Sequence, residues 1–204
     1  MKKILGFILF LGLFSSCSFW TANYNIPLTR VEKNSENCEV TLNMCEDTSY
    51  TFEDENILAN WKVLSKAISL KLTNKSDYPI RINPDDIGYI DYMGRINRVS
   101  SNNQFYGDKY KIQPSLIIPS NTTWAINLIP TENWELKDIS PILPGTITTH
   151  AIPNKKDLEI ARSYVGKTLG IYVPVIIENE RTDYLFEFTI DNWSNAPKDN
   201  KNKK

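Results

Sequence analysis

The stretch Leu169–Ile190, LGIYVPVIIENERTDYLFEFTI, decides the fold class. Leu169, Ile171, Val173, Val175 and Ile177 alternate with other residues, and so do Tyr184, Phe186, Phe188 and Ile190. Period-two alternation puts each set on one face of a strand, and branched and aromatic side chains suit a pleated, half-buried surface. Glu178–Asp183 between them is polar, so the stretch reads as a long antiparallel hairpin with a six-residue connection. Pro174 lacks an N–H, which predicts an edge position or a bulge at that point.

The same pattern recurs upstream. Ile68, Leu70 and Leu72 alternate with Ser69, Lys71 and Thr73; Asn74–Asp77 is turn chemistry; Tyr78–Ile82 resumes the alternation. Further strands are expected at Ile87–Ile90, Ile96–Val99, Ser115–Ile118 and Thr122–Ile129, with turns at Asp91–Gly94 and Pro119–Asn121. One helix is expected over about 154–165. Asn154 is its N-cap, Asp157 lies in its first turn and Gly166 is its stop. Seven or eight strands with one short connecting helix predict an all-β chain, an antiparallel β-sandwich. Ala67–Asn83, the Pro119 turn and the final hairpin resemble bacterial immunoglobulin-like domains in architecture. A closed lipocalin-like barrel is the alternative.

Composition narrows the function classes. The 204 residues carry 23 Lys+Arg, 24 Asp+Glu and one His, a formal net charge of −1. No basic excess suits a nucleic-acid partner, and one histidine gives little material for a His-based metal cage. An apolar fraction of 41% is too high for wholesale disorder.

The N-terminus holds the most specific motif. Met1-Lys2-Lys3 precedes the apolar run Ile4–Phe14 (ILGFILFLGLF), followed by Ser15-Ser16-Cys17. That run is too short to cross a bilayer, which takes about 20 residues, and it fits the apolar core of a secretory signal. Residues 1–18 resemble a bacterial lipoprotein signal peptide. Ser15 and Ser16 fit its lipobox, whereas Phe14 stands where Leu is usual. The resemblance implies cleavage before Cys17, a lipid on the Cys17 sulfur, and an acylated amino terminus such as palmitate supplies. Ser18 after the cysteine implies sorting to the outer rather than the inner membrane, facing the periplasm or the cell surface. An ordinary signal cut after Ser18, where Ser16 and Ser18 form a small-x-small pair, is the other reading.

The expected organisation is a signal peptide over 1–16, a lipidated tether with a short disulfide loop over 17–45 that joins a first strand near Ile26–Val31, a β-sandwich over 46–193 and a disordered Lys-rich tail over 194–204. Phe19 and Trp20 are expected at the lipid headgroups. Cys38 and Cys45, an even pair in an exported chain, favour a disulfide. Seven extended residues span ~23 Å, so pairing needs a chain reversal between Glu39 and Met44. Closing that loop is worth about 2.5 kcal/mol. Two unpaired thiols in one amphipathic strand are the alternative.

Catalytic signatures are missing. The sequence contains no G-x-S-x-G, P-loop, G-x-G-x-x-G, H-E-x-x-H or C-x-x-C. His150 reads as a loop residue. Asp85, Asp86 and Asp91 lack calcium-loop spacing and read as turn acids. Glu132, Glu135 and Asp138 around Trp134 are weak material for sugar chemistry. Trp61 and Trp124 sit in strand patterns and read as core; the remaining three tryptophans are 20, 134 and 193. No catalytic residue, metal or cofactor is expected. The expectation is a non-catalytic, lipid-anchored envelope protein that binds or helps assemble another envelope protein. The alternative is a surface-exposed lipoprotein that binds host molecules or glycans, and a hydrolase built on Glu132, Glu135 or His150 comes third.

Overall fold

In a computed structural model, residues 20–38, 43–45, 49–101, 106–136, 138–147 and 152–194 are described. The first strands are β1 (Asn23–Asn25), β2 (Leu28–Lys33), β3 (Glu36–Cys38), β4 (Asn43–Cys45), β5 (Ser49–Glu53) and β6 (Ile57–Val63). Next come β7 (Ile68–Asn74), β8 (Ile80–Ile82), β9 (Gly88–Ile90), β10 (Ile96–Ser101), β11 (Leu116–Ile118) and β12 (Thr123–Pro130). Helix α1 (Lys155–Arg162) precedes β13 (Thr168–Ile177), β14 (Glu180–Thr189) and β15 (Asn192–Ser194).

The decisive hairpin is β13–β14, paired from Thr168↔Thr189 to Ile177↔Glu180. Its connection is shorter than the polar run suggested. Only Glu178 (φ 49°) and Asn179 (φ 73°) turn the chain, and both take the left-handed conformation of a tight hairpin turn. Glu180–Asp183 continue the ladder instead, because strand pairing needs only their backbone. Pro174 faces Asp183 on β14; on its other flank it falls between the β9 partners Gly170–Tyr172 and the β8 partners Ile176 and Ile177. The gap between two short strands accommodates the missing N–H.

Hydrogen bonding runs continuously in the order β3-β2-β14-β13-β9-β10-β12-β7-β6-β5-β4, with β11 attached through β8 to β13. The path folds at β10. Ile96–Arg98 pair with β9, whereas Val99–Ser101 pair with β12, so one strand serves both layers. Between the layers Phe52 of β5 meets Tyr184 and Phe186 of β14, at 6.1 and 5.7 Å between ring centroids. Trp61 of β6 meets Phe186 and Phe188 at 4.8 and 5.7 Å. Each such contact adds about 0.5–1.5 kcal/mol beyond burial. The protein is therefore an all-β, antiparallel, sandwich-like fold with one short helix. Trp61 is wholly buried and Trp124 packs against the core, as their strand positions implied. Helix α1 starts as expected, with a reciprocal cap between Asn154 and Asp157. It ends at Arg162, and the chain turns through Gly166 at φ 84°.

Four expectations are corrected. Residues 20–38 are part of the sandwich rather than a tether leading to a domain at residue 46: β2 pairs along β14, and Leu28 and Val31 are fully buried. Those two residues are three apart, which in a regular strand would place them on opposite faces. The register shifts between Glu187 and Phe188, so that Arg30 pairs with Glu187 and Leu28 with Phe188. Thr29 is left as the extra residue, and the bulge returns both apolar side chains to the core. Second, Trp20 is 6% exposed; it packs with Ala22 and Ala161 and stands edge-on to Trp193 at 6.5 Å. Its ring is used by the fold and is not available to lipid headgroups. Third, Cys38 is a free thiol, so the expected bridge to Cys45 is not formed. Cys38 lies on β3 beside β2 and Cys45 on β4 beside β5, each strand serving a different neighbour. At the other end Ser194 belongs to β15, opposite Asn23, rather than to the tail. The signal, Cys17 and residues 195–204 lie outside the described residues.

Candidate functional site

The long hairpin gives the molecule two poles, about 33 Å apart for ten residues at ~3.3 Å each. At the terminal pole, β1 pairs with β15, the Tyr24 hydroxyl donates to Ala161 O at 3.1 Å and Ala22 N donates to Thr146 O at 2.9 Å. The turn pole gathers the reversals at residues 54–56, 74–78, 119–122 and 178–179.

Asn74, at the end of β7, organises the turn pole from a fully buried position. Its Nδ2 donates to Tyr78 O at 2.7 Å and to Ile118 O at 2.9 Å. Its Oδ1 accepts from the Ser76 amide at 2.9 Å and the Ser76 hydroxyl at 2.8 Å. Every polar valence of the amide is thus used, and the 74–78 and 118–122 turns are fixed to each other. A second tie crosses the layers. Asp54 Oδ1 accepts from the amides of Asn56 and Ile57 at 2.8 Å each, while Oδ2 accepts from the Tyr184 hydroxyl at 2.7 Å and Lys33 Nζ at 3.0 Å. Burial alone would raise the Asp54 pKa, but the Tyr184 hydroxyl, the two amides and Lys33 outweigh it and hold the carboxyl below its ordinary value.

On this scaffold sits an open groove of about 250 Å³, lined by Tyr78, Pro79, Arg81, Ile117, Ile176 and Glu178 among others. Tyr78 is 50% exposed and Ile117 58% exposed, and the two line the same groove. Strand β11, which carries Ile117, pairs only with β8 among the described strands, so its other edge has no strand partner there, although Ile118 O is taken by Asn74. A wider cleft of about 660 Å³ shares Tyr78 and Glu178 and is rimmed by Glu55, Asp77 and Glu180. Its lysine, Lys75, is engaged by Glu53 at 2.6 Å and by Asp54 O at 2.8 Å. The floor is apolar at Tyr78, Pro79, Ile117 and Ile176 with Arg81 beside them, and the rim carries more acids than cations, Glu55 among them paired with Lys33.

The acidic residues singled out in the sequence do not converge on this groove. Asp91 Oδ1 accepts from the Met93 and Arg95 amides at 2.8 and 3.0 Å, and its Oδ2 pairs with Arg95 at 2.7 Å, a closed turn rather than a cation loop. Asp85 pairs with Arg98 and accepts from Gln113 N at 3.1 Å; Asp86 is exposed. Glu132 and Glu135 are exposed, Glu135 accepting from the Ser140 hydroxyl at 2.7 Å, and Asp138 pairs with Lys66 at 2.8 Å. Trp134, between them, contributes its carbonyl to Lys109 Nζ at 2.6 Å. His150 lies outside the described residues. Cys38 is half-buried, and burial pushes its thiol pKa up, with Lys33 opposing and Asp54 and Glu55 adding, which disfavours the reactive thiolate.

Tyr78, Ile117 and Glu178 carried no signal in the sequence. Each stands in an ordinary turn or strand pattern, and only the stacking of the layers leaves them uncovered together. The fold and groove define a class: an antiparallel β-sandwich with an apolar, acid-rimmed groove at one pole. No protein-family model, curated protein or solved structure matches the chain.

Proposed function

We propose that the protein is a bacterial envelope lipoprotein, anchored by lipid on Cys17, whose sandwich binds another envelope protein without catalysing a reaction. The N-terminal sequence supports the anchor: a two-lysine start, an eleven-residue apolar run and Ser15-Ser16-Cys17. Two or more acyl chains give stable attachment where one is marginal. Ser18 favours the outer membrane.

Position carries the binding half of the reading. Trp20 is three residues from Cys17, so the terminal pole lies within about 11 Å of the anchor. The groove lies at the opposite pole, facing away from the lipid. The edge of β11 without a strand partner suits an added strand, the apolar part of the floor suits a large side chain, and the acids of the rim suit basic residues beside it. The partner is accordingly an extended, basic-apolar segment of an envelope protein. No metal or cofactor takes part.

A photo-crosslinking residue at Asp77, in intact membranes, is expected to capture one envelope protein in stoichiometric yield. The same residue at Glu159, on α1 at the terminal pole, is expected to capture none of it. Capture at Glu159 but not at Asp77 contradicts the placement. Protease treatment of intact cells separates the two orientations, since a periplasm-facing domain survives and one exposed to host molecules is cut.

A further inference from the structure

The β1–β15 ribbon has two unlike faces. Residues directly opposite one another in an antiparallel pair share a face. The register sets Asn23 opposite Ser194, Tyr24 opposite Trp193 and Asn25 opposite Asn192. Tyr24 and Trp193 both pack against the cluster of Trp20, Ala22 and Ala161, the last a residue of helix α1. The opposite face carries Asn23, Asn25, Asn192 and Ser194, all polar and all uncharged.

That face lines a cleft of about 260 Å³, whose apolar side is formed by Ile26, Val63 and the ring of Tyr50. A second cleft, of about 190 Å³, shares Asn23, Ile26 and Val63 with it and continues toward Ser65 and Thr146. Together they approach the size of a small-ligand site, usually about 300–1,000 Å³. The polar groups are held in one arrangement. The Tyr50 hydroxyl donates to Asn25 Oδ1 at 2.7 Å; Asn25 Nδ2 donates to Asp191 Oδ2 at 3.3 Å, and Asn192 Nδ2 donates to the same oxygen at 3.1 Å. Tyr50 is only 5% exposed, so the chain of bonds is fixed from the core outward. Groups already ordered cost less to bind a ligand.

Chemistry selects the class of ligand. Amides and hydroxyls both donate and accept hydrogen bonds, and sugar hydroxyls have the same double character. The C–H groups of a sugar ring suit an apolar wall such as Ile26 and Val63. The larger cleft has no charged residue among those that line it, and Asp191 beside it disfavours an anion. One carboxylate among amides is too few for a cation such as calcium, which takes 6–8 oxygens. The turn-pole groove, with its exposed Tyr78 and Ile117 and its acids, has a different chemistry.

We propose that the terminal pole holds a binding site for a neutral saccharide of one or two rings. The hydroxyls of the saccharide pair with Asn25, Asn192, Ser194 and Asp191, and its C–H face lies on Ile26 and Val63. The site is separate from the turn-pole groove and stands whether or not Cys17 is lipidated.

The full chain, in a zwitterionic detergent that carries no sugar, is titrated with maltose and with N,N′-diacetylchitobiose, and binding is read by saturation-transfer NMR. At least one of the two is expected to bind with a Kd on the order of 1 mM, and the preferred probe tells whether the cleft takes plain or N-acetylated rings. Asn192→Val removes an exposed amide and keeps a good strand former. It is expected to weaken binding by about tenfold or more, with the urea midpoint unchanged. Tyr50→Phe, which takes away the hydroxyl that orients Asn25, is expected to weaken it by about threefold. Digalacturonate, of similar size but anionic, is expected not to bind. Failure of both neutral disaccharides at ~50 mM, far above the expected Kd, overturns the proposal. So does unchanged affinity in Asn192→Val, or tighter binding of digalacturonate than of either neutral probe.

Discussion

The two poles are built by different means. The turn pole combines tight local reversals, at Asn34 and Ser35, Glu178 and Asn179, and Asn74 to Ser76, with side-chain ties from Asn74 to Ile118 and from Asp54 to Tyr184. The terminal pole is made at long range, from Asn23 with Ser194, Tyr24 with Ala161 and Trp20 with Trp193. Local reversals resist change one residue at a time. Closing the two ends of a chain costs ordering entropy that only packing can offset, so the terminal pole depends on a few large side chains.

That contrast predicts a ranked set of effects. Trp20→Ala removes the centre of the terminal cluster and is expected to cost about 3–5 kcal/mol in urea unfolding. A loss below about 1 kcal/mol would show that the two poles unfold separately. Asp54→Asn is expected to cost about 2 kcal/mol, through weaker bonds to Tyr184 and Lys33. It also changes the acid limb. Asp54 and Asp91 have carboxyl groups held below their ordinary pKa, by hydrogen bonds and cationic partners that outweigh burial. Their contribution is present above the unfolded value near 4 and is lost as pH falls through the lower, folded value. Wild-type stability should therefore drop on acidification below about pH 4, and Asp54→Asn should drop less steeply. Asn179→Ala, which removes the short polar side chain that eases a non-glycine residue into a left-handed turn position, should cost about 1 kcal/mol. The paired variant Tyr78→Ala and Ile117→Ser should change stability by no more than about 0.5 kcal/mol, because both side chains are exposed. It should nevertheless abolish crosslinking from Asp77; unchanged capture would remove the groove from the account. Cys38 should take up a maleimide in unreduced, denatured protein, and a recovered Cys38–Cys45 bridge would contradict the free thiol.

Legibility in the sequence follows the same division. Long alternating strands such as β7, β12, β13 and β14, and the Asn154 cap, could be read because each is specified by neighbours in the chain. Strand β2 was legible only as a short strand near Ile26–Val31, and its place in the sandwich was not, because the Thr29 bulge breaks the alternation that marks a buried strand. β1, β3 and β15 have three residues each, too few for any period to show. The groove escaped for another reason: the exposure of Tyr78 and Ile117 depends on where the layers and turns leave them uncovered. The free Cys38 likewise reflects strand partners that spacing does not specify.

The central claim is that the terminal pole is tied to a membrane through Cys17 while the opposite pole carries the binding groove. Mass spectrometry of the mature amino terminus, alongside Cys17→Ser, tests it most directly. The account predicts a chain beginning at a lipid-modified Cys17, with Cys17→Ser lacking the lipid. An unlipidated terminus at Phe19 would contradict it.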